Sequence, residues 1–155
     1  MEGQHAALGP AALLRHRKAR PISPLAFVLN ILWLICGGVA AALAWLIAAL
    51  IMAITIIGLP WSFAAFRIAV YTFLPFGNEM RSRPDAGVLS TLGNIVWFVL
   101  AGWWLALAHL ILAVGLALTI IGIPFAWAHL KLAGASLAPV GKEIVPRGGP
   151  PRVWR

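Results

Sequence analysis

The chain has 155 residues, a formal net charge of +8, 62% hydrophobic residues and only 10% charged residues. Soluble domains carry about 25% charged residues, so this composition excludes an ordinary soluble enzyme and predicts an integral membrane protein. The basic residues lie in Pro- and Gly-rich flanks and not on a face with stacking aromatics, which argues against nucleic acid as a partner. The expected partner of this chain is the lipid bilayer.

Two stretches of the chain are copies of one another. Placing Asn30 over Asn94 gives an offset of 64 (94 − 30), and 21 of the 50 paired positions as far as Glu79 and Glu143 are identical. Such a repeat defines the unit of architecture. It divides the chain into a disordered basic tail (1–24), a first membrane repeat (25–80), a linker (81–88), a second membrane repeat (89–144) and a disordered tail rich in Pro, Gly and Arg (145–155).

Nearly all Lys and Arg residues occur in three flanks: the N-terminal tail, the linker and the C-terminal tail. Lys and Arg close to membrane segments remain on the cytoplasmic side. The linker and both termini are therefore predicted to be cytoplasmic. Each repeat must then cross the bilayer an even number of times, which predicts a multi-pass protein with two repeats in parallel.

The first repeat opens with an apolar run at residues 25–57, which is 33 residues (57 − 25 + 1). As one helix it would be about 50 Å long, against a hydrocarbon core of roughly 30 Å. The best break is Gly58-Leu59-Pro60, because Gly suits the position after a helix and Pro the first position of the next. Trp33 and Trp61 are then predicted at opposite membrane interfaces.

The return segment of the first repeat, residues 61–74, is only about 21 Å long if helical. A rival interpretation breaks the chain at Gly37-Gly38 and lays this segment on the membrane surface. A surface helix needs a polar face. The neighbours of Arg67 are apolar, which argues against this rival interpretation.

The second repeat is predicted in the same way, with Trp97 at its interface and the turn at Gly122-Ile123-Pro124. The predicted fold is an all-α integral membrane protein with two tandem parallel helical hairpins and about four transmembrane helices. The alternative is two full spans plus re-entrant or interfacial helices.

Small residues at a 3, 4, 3 spacing predict a packing face on each return helix. The first repeat has Ser62, Ala65, Ala69 and Thr72, and the second has Ala126, His129, Ala133 and Ser136. No Cys, Asp or Glu is spaced as a metal ligand from His129 or from His109. His129 is interpreted as a buried hydrogen-bonding residue, His109 occupies the position of Trp45 in the first repeat, and neither a metal nor another cofactor is expected.

Arg67 and Lys131 are equivalent under the 64-residue offset, and each lies near the middle of its return helix. A charge at that depth is costly and suggests a functional site. The plainer interpretation is that each side chain extends to lipid phosphates. The sharper one makes them pore or anion contacts, and an ion-pair partner is a third option.

Glu79 and Glu143 also occupy equivalent positions, at the exits of the two repeats. As two isolated acids with no motif supplying a nucleophile, base or oxyanion donor, they are weak catalytic candidates. The sequence has no phosphate loop, nucleophile elbow or zinc signature. No catalytic residue is assigned, and the protein is not predicted to be an enzyme.

The recurring residues resemble a known family. The pattern is Asn-Ile-x-Trp, then Gly38 or Gly102, then Thr-Ile-Ile-Gly-[Leu/Ile]-Pro, a basic residue seven positions after the Pro, and Pro-x-Gly-x-Glu. It resembles the YccF-like inner-membrane component domain, over roughly residues 25–145. The resemblance implies a bacterial inner-membrane location with about two transmembrane segments per repeat. It implies no reaction.

The sequence is therefore compatible with three functions. The first is a non-enzymatic component of the bacterial inner membrane that packs with itself or with another membrane protein. The second is an oligomeric permeation protein for ions or small solutes, anions among them. The third, which has the weakest support, is a membrane-embedded enzyme.

Overall fold

A computed structural model of the chain describes residues 22–148. Most of the predicted basic tail and the end of the predicted C-terminal tail lie outside the described residues. The two repeats have the same order of elements, which begins with a long, interrupted helix and ends with a short strand. In the first repeat these are α1 (Pro24–Trp33), a π-helical turn (Leu34–Gly38), α2 (Val39–Ile54), α3 (Leu59–Phe73) and β1 (Asn78–Ser82).

The second repeat reproduces each element of the first about 64 residues later. It consists of α4 (Val88–Trp97), a π-helical turn (Phe98–Gly102), α5 (Trp103–Ala117), α6 (Ile123–Leu137) and β2 (Lys142–Pro146). In each repeat the second long helix packs against the return helix, α2 on α3 and α5 on α6. The predicted small-residue stripes of α3 and α6 are buried.

The long helix of the first repeat is interrupted where the rival interpretation placed a break. Gly37 has a φ of 136°, a conformation that costs little only for glycine. In the second repeat the equivalent residue is Ala101, and no described non-glycine residue has a positive φ. A sharp kink at Gly37 therefore belongs to the first repeat, while the π-helical turn is common to both.

The return turn of the first repeat lies at Gly58-Leu59-Pro60, and Pro60 stands in the first turn of α3. The glycine has a different role from the one inferred. Gly58 is in the ordinary right-handed region, with φ −78°, and a Cβ there would lie 2.8 Å from the Met52 carbonyl oxygen. Gly122 is equivalent, with φ −76°. These glycines allow the chain to pack closely against the preceding helix.

Two helical runs are long and apolar enough to cross a membrane. Pro24–Ile54 has 31 residues and a mean hydropathy of 2.5, and Val88–Ala117 has 30 residues and 2.1. In both, only 22% of the apolar window is buried in the protein, whereas the core helix of a soluble protein would be mostly buried. The return helices have only 15 residues each. The fold is thus mostly helical with two candidate membrane-spanning helices.

The strands β1 and β2 form an antiparallel two-stranded ribbon that joins the repeats. Met80 pairs with Ile144 at its centre, and these residues are equivalent under the offset (144 − 80 = 64). The ribbon is therefore centred on the pseudo-twofold axis that relates the repeats. The all-α prediction missed this ribbon, in which β1 spans the predicted end of the first repeat and β2 the predicted end of the second.

The hairpins cross one another. Trp61, close to the turn of the first hairpin, donates its indole N–H to the carbonyl oxygen of Gly93 at the base of the second repeat, 3.0 Å away. Phe125, which is equivalent to Trp61, packs against Trp33 and Phe76 at the base of the first repeat. Each turn end therefore lies against the opposite base, and the hairpins do not stand side by side in register.

Candidate functional site

The charged side chains of the described residues gather at one place, the ribbon and the helices beneath it. Seven of them lie on the strands or within five residues of a strand end: Glu79, Arg81, Arg83, Asp85, Lys142, Glu143 and Arg147. The other two, Arg67 and Lys131, extend to the ribbon from α3 and α6. We call this region the ribbon junction: β1, β2 and the faces of α3 and α6 that contact them.

The Asn-Ile-x-Trp motif fastens the base of each hairpin. The Asn30 side chain donates to the Phe76 carbonyl oxygen and accepts from the Phe76 N–H, both at 3.0 Å. Trp33 donates its indole N–H to the Thr72 carbonyl oxygen at 2.7 Å. Residues three apart lie on one side of a helix, so this spacing lets Asn30 and Trp33 hold the end of α3 together.

The second repeat makes the same contacts. Asn94 bonds to the Val140 carbonyl oxygen and N–H at 3.1 and 2.9 Å, and the Trp97 indole donates to the Ser136 carbonyl oxygen at 2.7 Å. Gly102 allows this approach, since a Cβ there would lie 3.0 Å from the Trp97 ring. The motif is therefore a structural clamp repeated in both halves.

Arg67 and Lys131 tie the two repeats together. Arg67 donates Nη1 to the carbonyl oxygen of Lys142 in β2, at 2.9 Å. Lys131 donates Nζ to the carbonyl oxygens of Pro75 and, at 2.8 Å, Asn78 in the first repeat. Since Asn78 and Lys142 are equivalent (142 − 78 = 64), each mid-helix cation makes the same bond to the opposite strand.

One face of the ribbon carries acidic groups towards the helices. Side chains alternate along a strand, so the paired positions Glu79 with Val145 and Arg81 with Glu143 share a face. Val145 and Glu143 are buried, with exposures of 0% and 7%, which shows that this face is directed inwards. Arg81 forms an ion pair with Glu79. Among the described residues, neither carboxylate oxygen of Glu143 has a hydrogen-bond partner.

Two equivalent pockets open at the ribbon junction, one on each side of the pseudo-twofold axis. The first combines Arg67 and Arg83 of the first repeat with Glu143 of the second. The other combines the equivalent residues Lys131, Arg147 and Glu79. Lys142 also lines both pockets, so each contains three basic residues and one carboxylate.

The two histidines form a buried pair within the second hairpin, where they contact Trp33 and Trp45 of the first repeat. Their Nδ1 atoms are 3.0 Å apart, so one ring donates a hydrogen bond to the other. His109 stacks on Trp45, its equivalent in the first repeat, and His129 lies edge-on to Trp33. Within residues 22–148 no group of His, Cys, Asp and Glu has the arrangement of a metal site.

The structure adds contacts for the aromatic residues that were predicted at the membrane interfaces. Trp33 and Trp97 are each only 3% exposed and hydrogen-bond inside the fold. Trp61, which is half-buried, joins the two repeats. Gly38 and Gly102 leave room for the rings of Trp33 and Trp97, and spacing along the sequence does not show these contacts.

The ribbon junction was only partly visible in the sequence. The equivalence of Arg67 and Lys131 identified them as candidate functional residues. Their partners were missed because those partners are carbonyl groups in the other repeat. Glu143 and Arg83 were not combined, since 60 residues (143 − 83) separate them. The recurrence of Asn30 and Asn94 was a signal for the clamp.

Comparison with known proteins gives a consistent result. A family model described as an inner membrane component domain, YccF, matches twice, at residues 28–78 and 92–142. The chain is 38% identical over 127 residues to inner membrane protein YccF of Escherichia coli (strain K12), covering 76% of this chain and 86% of that protein. The match to inner membrane protein YccF of Shigella flexneri has the same identity and coverage. No solved structure matches the chain significantly.

Proposed function

The chain belongs to the YccF family of inner membrane component domains, and from that premise we propose that it is a non-enzymatic component of the bacterial inner membrane. It packs, through a charge-free helical surface, with itself or with another membrane protein. The observation that carries this proposal is the separation of the molecule into a polar ribbon junction and an apolar surface formed by the remaining helix faces.

The bonding of the polar residues supports a packing role. Asn30, Trp33 and their equivalents bind backbone groups, and the two histidines bind each other. Arg67 and Lys131 hold the opposite strands. The first two sets stabilise each hairpin, and the mid-helix cations join the two repeats. This bonding supports neither a pore lined by the cations nor a catalytic arrangement.

We place the ribbon junction at the cytoplasmic surface, with the turns of both hairpins inside the hydrocarbon. At the first turn Ile56 and Ile57 are 90% and 84% exposed, which suits lipid and not water. The hydroxyl of Thr55 donates to the Met52 carbonyl oxygen and accepts from the Gly58 N–H. A turn surrounded by hydrocarbon must satisfy its polar groups internally in this way.

This placement favours re-entrant return helices over four complete spans. A 15-residue helix is about 22 Å long, less than the roughly 30 Å core. The middle of α3 is bonded to the ribbon through Arg67, and its turn end contacts the opposite base through Trp61. Tilt and the kink at Gly37 accommodate the length of the helical run that leads to the turn.

The packing surface includes an apolar groove between α2 and α3. Leu46, Leu50, Phe63 and Phe66 line it. A photoreactive residue in place of Phe66 should give a discrete protein adduct when irradiated in native membranes, whereas one at Ile56, on the turn, should give only lipid adducts. The mass of the adduct distinguishes a second copy from a foreign partner, and the absence of any protein adduct at Phe66 would contradict the proposal.

A further inference from the structure

The pocket formed by Arg67, Arg83 and Glu143 contains charges that the fold leaves incompletely matched. Glu143 is 93% buried (100 − 7), yet neither of its carboxylate oxygens is hydrogen-bonded among the described residues. Burying a carboxylate without partners is expensive. Arg81, which faces Glu143 across the ribbon, is ion-paired with Glu79. Both carboxylate oxygens of Glu143 are thus buried without a partner among the described residues, and a positively charged hydrogen-bond donor that reached them would satisfy this carboxylate.

The same pocket holds two guanidinium groups with spare donors. Arg67 is bonded to the Lys142 carbonyl oxygen through Nη1, and Arg83 lines the same pocket. The buried Nε of Arg83 is 3.5 Å from Asp85 Oδ1 and has no hydrogen bond among the described residues. Two like charges in one concavity favour an anion between them, and guanidinium groups bind phosphate well.

We infer that this pocket binds a phosphate that carries a primary amine a few atoms away, as in the headgroup of an aminophospholipid. The phosphate lies between Arg67 and Arg83, and the ammonium group donates to the Glu143 carboxylate. The pocket volume of about 540 Å³ is sufficient for such a headgroup. Val70 and Ile144 also line the pocket, and the acyl chains would continue along the apolar helix surface.

The second repeat provides an internal comparison. Its pocket has the equivalent Lys131, Arg147 and Glu79, but Glu79 already has Arg81 as an ion-pair partner. Arg81 has no basic counterpart in β2, because the equivalent residue is Val145 (145 − 81 = 64). The two pockets therefore share the site for phosphate, and the selectivity for an amine belongs to the pocket with Glu143.

Native mass spectrometry of the full-length protein in detergent, with defined added lipids, tests the inference. Phosphatidylethanolamine should bind about tenfold more tightly than phosphatidylglycerol, which has the phosphate and lacks the amine, because the ammonium gains charge-assisted hydrogen bonds. Glu143→Gln should abolish this preference and keep binding of both lipids. The matched variant Arg147→Gln, in the equivalent pocket of the second repeat, should retain the preference.

Arg83→Gln should weaken both lipids together, since it removes a phosphate contact. Equal binding of the two lipids by the wild-type protein, or an unchanged preference in Glu143→Gln, would overturn the inference.

Competition with soluble phosphoethanolamine distinguishes a lipid from a free aminophosphate. Failure to compete at matched concentration supports a lipid, and competition equal to that of the lipid supports a free aminophosphate in the same site. The inference rests on the proposed function in one respect, namely that the ribbon lies at the depth of the lipid headgroups. Binding in detergent does not depend on this depth, so the two proposals can fail separately.

Discussion

Single residues in this protein act mainly by joining backbone segments that are distant in sequence. The buried Asn30 amide both donates to and accepts from Phe76, 46 residues away. In a membrane protein such a bond replaces water, which is absent from the hydrocarbon. The mid-helix cations work in the same way, since each donates to carbonyl oxygens of the other repeat. Charges that suggested a transport site in the sequence thus stabilise the union of the repeats.

Replacing Lys131 with methionine tests the role of the mid-helix cations. The change keeps the apolar stem and removes the donor to Pro75 and Asn78, so the free energy of unfolding in detergent should fall by about 1.5–3 kcal/mol, the value of a hydrogen bond from a charged group. Lys142→Met is the control, because Lys142 contributes its backbone carbonyl to the equivalent bond. An equal loss in the two variants would show that the contact from Lys131 Nζ does not hold the repeats together.

At the scale of elements, the features that depend on local residues could be predicted from the sequence. The strands, which depend on pairing between distant segments, could not. The turn at Gly58-Leu59-Pro60 and the buried small-residue stripes were predicted, because glycine, proline and helical spacing are local signals. The strand β1 was not, since its residues Asn-Glu-Met-Arg-Ser lack the β-branched and aromatic residues typical of strands. It forms because β2 supplies a partner, and a sequence read one segment at a time does not contain that partner.

The return turns should be intolerant of any side chain at their glycines. Gly58→Ala would place a Cβ 2.8 Å from the Met52 carbonyl oxygen, and the Thr55 side chain is also in the way. We expect it to lower the free energy of unfolding by about 1–3 kcal/mol, the usual cost of overpacking. Gly134→Ala in α6 is the matched control, since its Cβ would meet nothing within 4 Å.

Alanine is favoured over glycine within a helix by roughly 1 kcal/mol, so Gly134→Ala should leave stability unchanged or raise it. Thermal or denaturant unfolding followed by circular dichroism gives both values. If Gly58→Ala were as stable as the wild-type protein, the close approach at the turn would not be the reason for its glycine.

At the scale of the whole molecule, the duplication produces one body and not two linked hairpins. The ribbon is centred on the equivalent residues Met80 and Ile144, and Trp45 stacks on its equivalent, His109. Contacts between the turn end of one hairpin and the base of the other add to this union. A single repeat would lack a partner for its strand and for its mid-helix cation, so the shared ribbon explains why the unit occurs as a pair.

The depth of the turns decides between re-entrant hairpins and four complete spans. Single cysteines at Leu59 and Ile123, introduced after Cys36→Ala, should resist a membrane-impermeant thiol reagent applied to either side of inner-membrane vesicles, because hydrocarbon surrounds the turns. A cysteine at Arg83, beside the ribbon, should react only from the cytoplasmic side, and all three should react after solubilisation in denaturant. Reaction of Leu59 and Ile123 from the periplasmic side would establish four spans instead. Reaction from the cytoplasmic side would contradict the two-hairpin placement, because the exposed isoleucines of the turn would then lie in water and not in hydrocarbon.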